Sequence, residues 1–106
     1  NSILGPGFKE IIYKDALEVK LEREKIEKKK KKSFRVLYDD LILDRRFDVD
    51  FMVFNSIVLE IKAASIIHYE NFRQTLNYLK ASEIKLGILI NFGASQLEFQ
   101  RIICTY

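Results

Sequence analysis

Apolar residues at Phe8, Ile11, Ile12, Ala16 and Val19 recur at helical spacing, and Leu17 and Leu21 widen the stripe. The pattern predicts an amphipathic helix from Phe8 to about Lys25, preceded by a loop at Leu4-Gly5-Pro6-Gly7. Period-two alternation then takes over. Ser33–Leu37, Leu41–Val53 and Ile57–Ala64 read as strands, separated by turns at Tyr38-Asp39-Asp40 and Phe54-Asn55-Ser56. Helical spacing returns from about His68 to Ser82, with Tyr69, Phe72, Leu76 and Leu79 on one stripe. Lys85–Asn91 and Leu97–Cys104 read as two more strands around a turn at Phe92-Gly93-Ala94-Ser95. The order α-β-β-β-α-β-β predicts an α/β fold, a central mixed sheet flanked by helices, because each helix needs a sheet face to cover.

One segment fits neither period. Five consecutive lysines, Lys28 to Lys32, follow Glu27. They repel one another and resist burial. The run suits a solvated helix end or loop, a nonspecific phosphate-contacting segment, or an exposed edge strand on which lysines discourage sheet-to-sheet pairing.

Composition narrows the class. The 106 residues fit one domain over 1–106, and 48% hydrophobic content supplies a modest core. The sequence opens Asn1-Ser2-Ile3 without a Met, so the natural start is expected upstream. A net charge of +3 permits a polyanionic partner without demanding one. Cys104 and His68 are the only residues of their kinds, which excludes an intramolecular disulfide, a Cys-based zinc site and a His-rich metal site. A cytoplasmic setting is expected, with no apolar run of membrane-spanning length and no signal-peptide pattern.

The candidate chemistry lies in Phe47-Asp48-Val49-Asp50-Phe51-Met52-Val53 and Val58-Leu59-Glu60-Ile61-Lys62-Ala63. Strand alternation places Phe47, Val49, Phe51 and Val53 on one face and Asp48 and Asp50 on the other. On the next strand Val58, Glu60 and Lys62 oppose Ile57, Leu59, Ile61 and Ala63. A hairpin therefore brings Asp50, Glu60 and Lys62 to one polar side. Such a trio can be a solvent-facing cross-strand ion pair. If the helices cover that side, carboxylates and a lysine need a cation or each other there. Carboxylate oxygens hold Mg²⁺, which lowers the pKa of bound water and polarises a phosphoryl oxygen. A nearby lysine can offset charge on the phosphate.

Asp50, nine intervening residues, then Glu60-Ile61-Lys62 is similar to the D…(D/E)xK signature of the PD-(D/E)xK nuclease superfamily. Further segments sharpen the likeness. Gly7-Phe8-Lys9-Glu10-Ile11-Ile12-Tyr13 matches a GxxExxY motif, with Leu4-Gly5-Pro6-Gly7-Phe8 as its lead-in. Gln74-Thr75-Leu76-Asn77-Tyr78-Leu79-Lys80-Ala81 resembles a QxxNYLKA helix, and Leu86-Gly87-Ile88-Leu89-Ile90-Asn91-Phe92-Gly93 an LGLLINFG strand and turn. The chain thus resembles the GxxExxY proteins over nearly its whole length.

The resemblance implies a restriction-endonuclease-like core. It implies Asp50 and Glu60 as main metal ligands for Mg²⁺ or Mn²⁺, Glu10 as the helix-borne acid completing the site, and Lys62 as the catalytic lysine. Gln74, Tyr78 and Tyr13 would line the site toward substrate. Glu10 otherwise suits a helix N-terminus, Gln74 an exposed helix position, and both tyrosines packing with a hydrogen-bonding tip. Asn91-Phe92-Gly93 reads as a turn rather than a site. The chain departs from the family pattern at Asp48, where an Arg is usual, and at Asp39-Asp40, where Gly is usual. The upstream helix is absent, and the lysine run is no part of that pattern. The expected activity is hydrolysis of DNA, or alternatively RNA, phosphodiesters. The competing expectation is a catalytically inactive nucleic-acid-binding or protein-interaction module on the same fold. Nucleic acid is the expected partner, and a membrane is not.

Overall fold

The computed structural model describes residues 5–105, with Leu37 described by its backbone alone. Leu4 and the opening Asn1-Ser2-Ile3 lie outside the described residues. The elements follow the expected order: α1 (Glu10–Arg23), β1 (Lys28–Tyr38), β2 (Leu41–Val53), β3 (Ile57–Lys62), α2 (Tyr69–Ser82), β4 (Leu86–Asn91) and β5 (Glu98–Ile103). The five strands form one sheet in the order β1-β2-β3-β4-β5. Only β3 and β4 run parallel, because α2 carries the chain back between them. Every other neighbour is an antiparallel hairpin partner.

The helices cover opposite faces. Tyr13 and Leu21 of α1 pack with Phe51, Val53, Leu59, Ile61 and Ile90. Leu79 of α2 packs with Val49, Val58, Leu89, Ile102 and Cys104. Residues 58 and 59, like 89 and 90, thus feed different cores, as the strand period requires. Mid-sheet residues are buried on both faces, and among the described residues no buried side-chain nitrogen or oxygen lacks a hydrogen-bond partner.

The helix faces differ from the expectation. On α1 the buried line is Tyr13, Leu17 and Leu21, a clean i, i+4, i+8 row, whereas Phe8, Ile11, Ile12, Ala16 and Val19 look outward. Apolar residues ring this helix, so spacing supports two stripes and tertiary packing selects the one carrying the tyrosine. On α2, Tyr69 lies outside the buried stripe at 72% exposure, while Thr75 and Leu79 are buried.

The lysine run is the edge strand among its three readings. β1 begins at Lys28, five residues before the expected Ser33, and pairs from Lys28↔Val53 onward. Lys28 meets Glu22 at 3.4 Å and Lys30 meets Glu18 at 2.9 Å, so alternate lysines lean over α1 and offset its acids. Asp39 turns the β1–β2 hairpin in the left-handed region (φ 53°), which Asp tolerates in place of Gly. Phe54 and Asn55 both take positive φ in the next turn, closed by Ser56 N donating to Val53 O. Among the described residues, no helix is long and apolar enough to cross a membrane.

Candidate active site

The site is built where the ladder fails. The β2–β3 register runs through Val53↔Ile57, Met52↔Val58 and Phe51↔Leu59 and stops there. On the other side of β2 the ladder passes from Lys30↔Phe51 to Lys32↔Val49, skipping Lys31 and Asp50, with Lys31 at φ 52°. Asp50 therefore has no ladder partner on either side among the described residues. Side chains take up the backbone groups: Asp50 N donates to Glu60 Oε2 at 2.8 Å, and Ile61 N donates to Asp50 Oδ2 at 2.8 Å. Two carboxylates thus replace two strand bonds and satisfy N–H groups that would be costly to leave unpaired.

This break also corrects the expected alternation. Phe47 and Val49 pack with the α2 core, but Phe51 and Val53 pack with the α1 core. The strand changes face at Asp50, so the acid sits in a fork between the layers rather than on an open side.

Glu60 is buried, at 5% exposure. Burial, then the adjacent Asp50 charge, raises its pKa to about 8, while the Asp50 N–H and Lys62 pull the other way. Burial thus favours the neutral form of Glu60. The sign for stability follows: below about 4.5 folded and unfolded chains are both protonated, and between there and about 8 the folded chain binds the extra proton. Metal-free stability should fall as pH rises through this window and level off above it, by a few kcal/mol in order of magnitude. Chemical denaturation at about pH 5, 7 and 9 measures this. Glu60→Gln should flatten the slope, and an unchanged slope would contradict it.

Asp50 is bound on its other oxygen by a residue that the sequence reading missed. Lys14 Nζ lies 2.9 Å from Asp50 Oδ1 and 3.2 Å from Glu10 Oε2. Burial alone would lower the Lys14 pKa, but Asp50 and Glu10 together outweigh it and hold the ammonium above its ordinary value. The expected convergence of Glu10, Asp50 and Glu60 is thus not met directly. Among the described residues no three acids stand within reach of one ion, and Lys14 bridges Glu10 and Asp50. Lys14 lies one turn after Glu10 on the same helix face, so its spacing was readable in the sequence.

Lys62 follows Glu60 on the same face of β3 and is half-buried. Tyr78 comes in from α2. Burial, then the negative charges of Glu60, Asp50 and Asp48, raise its pKa, and a hydrogen bond with Gln74 opposes the rise. Tyr78 and Gln74 therefore sit together beside the acids, with the Tyr78 ring stacked on Phe47 at 4.6 Å. Asp48 is exposed and adds negative charge to this rim.

Tyr13 takes a different role from the substrate contact the resemblance implied. Its ring is buried, stacked on Phe92 at 5.0 Å and edge-on to Phe8. Its hydroxyl donates to Gly5 O at 2.5 Å and accepts from Phe8 N at 3.2 Å. Tyr13 is a tether that holds the lead-in loop, which turns at Gly7 with φ 109°, against the start of α1. Tyr13→Phe should lower stability by about 1 kcal/mol, as measured by urea unfolding.

Asn91, read from the sequence as part of a turn, is a fully buried clamp. Its Oδ1 accepts from Ala64 N and Gly93 N, each at 3.0 Å, and its Nδ2 donates to Ala64 O and Glu98 Oε1, each at 2.8 Å. Phe92 N donates to Lys62 O at 2.9 Å. A Cβ at Gly93 would overlap the backbone of Ala63 and Ala64, so glycine is required where the two chain segments cross. The end of β3, and Lys62 with it, is fixed from behind.

The donors suit a hard divalent cation. Asp50 and Glu60 offer carboxylate oxygens that interact with one another, and the Lys14 ammonium already lies against Asp50. Glu10 is the acid that this arrangement keeps at one remove.

The model of the PD-(D/E)XK nuclease superfamily matches residues 1–102. The chain belongs to that superfamily, whose nucleases typically use divalent metals. A solved structure titled "Crystal structure of SSO0001" is similar in fold, with a TM-score of 0.73 and 18% identity over 90% of this chain. This chain spans half the length of that one. No curated protein matches significantly.

Proposed function

We propose that the domain hydrolyses phosphodiester bonds in nucleic acid, with DNA as the first substrate to test and RNA as the second, and that it requires Mg²⁺ or Mn²⁺. The carrying observation is the Asp50–Glu60 carboxylate pair at the strand fork, with Lys62 next along β3, in a member of a nuclease superfamily. Asp50 and Glu60 would hold the cation. When bound, it supplies Lewis acidity to the phosphoryl group and to water. Lys62, on the Glu60 face, offsets the negative charge that builds on phosphorus oxygens as water adds and the P–O ester bond breaks. Tyr78 and Gln74, on α2 beside the acids, would position the substrate strand. Burial of Glu60 limits bulk water and strengthens each of these interactions.

The test is cleavage of single-stranded DNA, duplex DNA and RNA with Mn²⁺ or Mg²⁺ against a chelator. Cleavage with metal alone supports the proposal. The competing reading is a binding module without turnover, and the separation of Glu10 from the other acids favours it. Equal affinity with and without metal, and no cleavage, would establish that reading instead.

A further inference from the structure

We infer that Lys14 is a built-in competitor for the cation site: its ammonium occupies the ground between Glu10 and Asp50 and must leave Asp50 Oδ1 before a divalent ion can take that oxygen. This rests on the metal-dependent reading above and adds a control on it.

The geometry carries the inference. One ammonium within 3.2 Å of Glu10 Oε2 and 2.9 Å of Asp50 Oδ1 defines a cation-sized gap bounded by two carboxylates. Asp50 Oδ2 is committed to Ile61 N, so Oδ1 is the oxygen that faces this gap. A divalent ion needs oxygen ligands at about 2.0–2.6 Å, a distance no lysine-occupied oxygen can offer at the same point. Lys14 is also unlike Lys20, the other lysine of α1. Its side chain is 24% exposed and its partner Asp50 is 20% exposed, whereas Lys20 and Glu24 are 63% and 57% exposed. It is a partly desolvated pair at the site, not a solvated surface pair. Charge points the same way. Glu10 and Asp50 share the one Lys14 ammonium, and the charges of Asp48 and Asp50 act together on Tyr78 across the fork. Exchange of the single charge on Lys14 for a divalent ion improves that balance and releases Glu10 together with Asp50.

Calorimetric titration with Mn²⁺ tests this on the whole chain, using wild type, Lys14→Met, Lys14→Arg and Asp50→Asn. Removal of the competing charge should tighten Mn²⁺ binding by about tenfold in Lys14→Met, with Lys14→Arg close to wild type. Asp50→Asn should bind weakly or not at all. If wild type binds Mn²⁺ and Asp50→Asn does not, but Lys14→Met binds no more tightly than wild type, the Lys14 inference is overturned and the metal reading stands. If neither wild type nor Lys14→Met binds Mn²⁺, both fall. Should Lys14→Met fail to fold, amine acetylation of wild type read by mass spectrometry decides. Lys14 should become more reactive as Mn²⁺ is added, and unchanged reactivity would overturn the inference.

Discussion

Lys62→Ala should abolish nucleic-acid cleavage, by about 10²–10⁴-fold or to the limit of detection, while leaving the fold and nucleic-acid binding largely intact. Lys62 has no ion-pair partner among the described salt bridges, and its main-chain carbonyl is held by Phe92 N, so truncation removes a charge without removing a staple. Loss of an exposed or half-buried lysine side chain away from a packed core costs little stability. The change therefore separates chemistry from structure. Cleavage rates at saturating metal, with affinity read by fluorescence anisotropy under chelation, measure the two parts. Activity within a few fold of wild type would remove Lys62 from the mechanism. Loss of binding in parallel with cleavage would reassign it to substrate attachment.

The second large effect is on stability. Asn91→Ala should destabilise the protein by about 3–5 kcal/mol, a large share of what a domain of this size has. The substitution deletes four hydrogen bonds at a fully buried position and leaves Ala64 N–H, Ala64 C=O and Gly93 N–H to find other partners. Asn91→Asp keeps the acceptor for Ala64 N and Gly93 N but sets a carboxylate against Glu98, so it should be milder at low pH and severe at neutral pH. Urea unfolding of both variants reads this directly. Because the clamp fixes the end of β3, surviving Asn91→Asp protein should also cleave more slowly. A cost below about 1 kcal/mol for Asn91→Ala would mean that the hydrogen bonds are replaced by water.

These two residues mark how far the sequence could be read. Element order, the mixed sheet and the pairing of Asp50 with Glu60 follow from periodicity and from one hairpin, because local spacing determines them. The Gln74–Tyr78 face was legible for the same reason, as an i, i+4 pair on α2. The lysine run left three readings open. Pairing with β2 and with Glu18 and Glu22 selects the edge strand, and those partners are remote in sequence or visible only once α1 is placed. The buried face of α1 was misread because apolar residues occur all around it, so the decision belongs to packing. Asn91 reads as a turn residue because two of its three partner residues, Ala64 and Glu98, lie in other segments of the chain. The face change at Asp50 is invisible in the sequence because strand alternation assumes an unbroken ladder, and this strand skips a pair at Asp50. That skip is the local rule the site violates, and the two carboxylates stand where the violation occurs.

The central claim is that Asp50 and Glu60 hold a divalent cation in this fork. Crystals grown or soaked with Mn²⁺ and measured for anomalous scattering test it most directly. A peak is expected at about 2.0–2.3 Å from carboxylate oxygens of both Asp50 and Glu60, absent in Asp50→Asn. A fully occupied Mn²⁺ elsewhere in the molecule, with Asp50 and Glu60 still bonded only to the backbone N–H groups and Lys14, would contradict it.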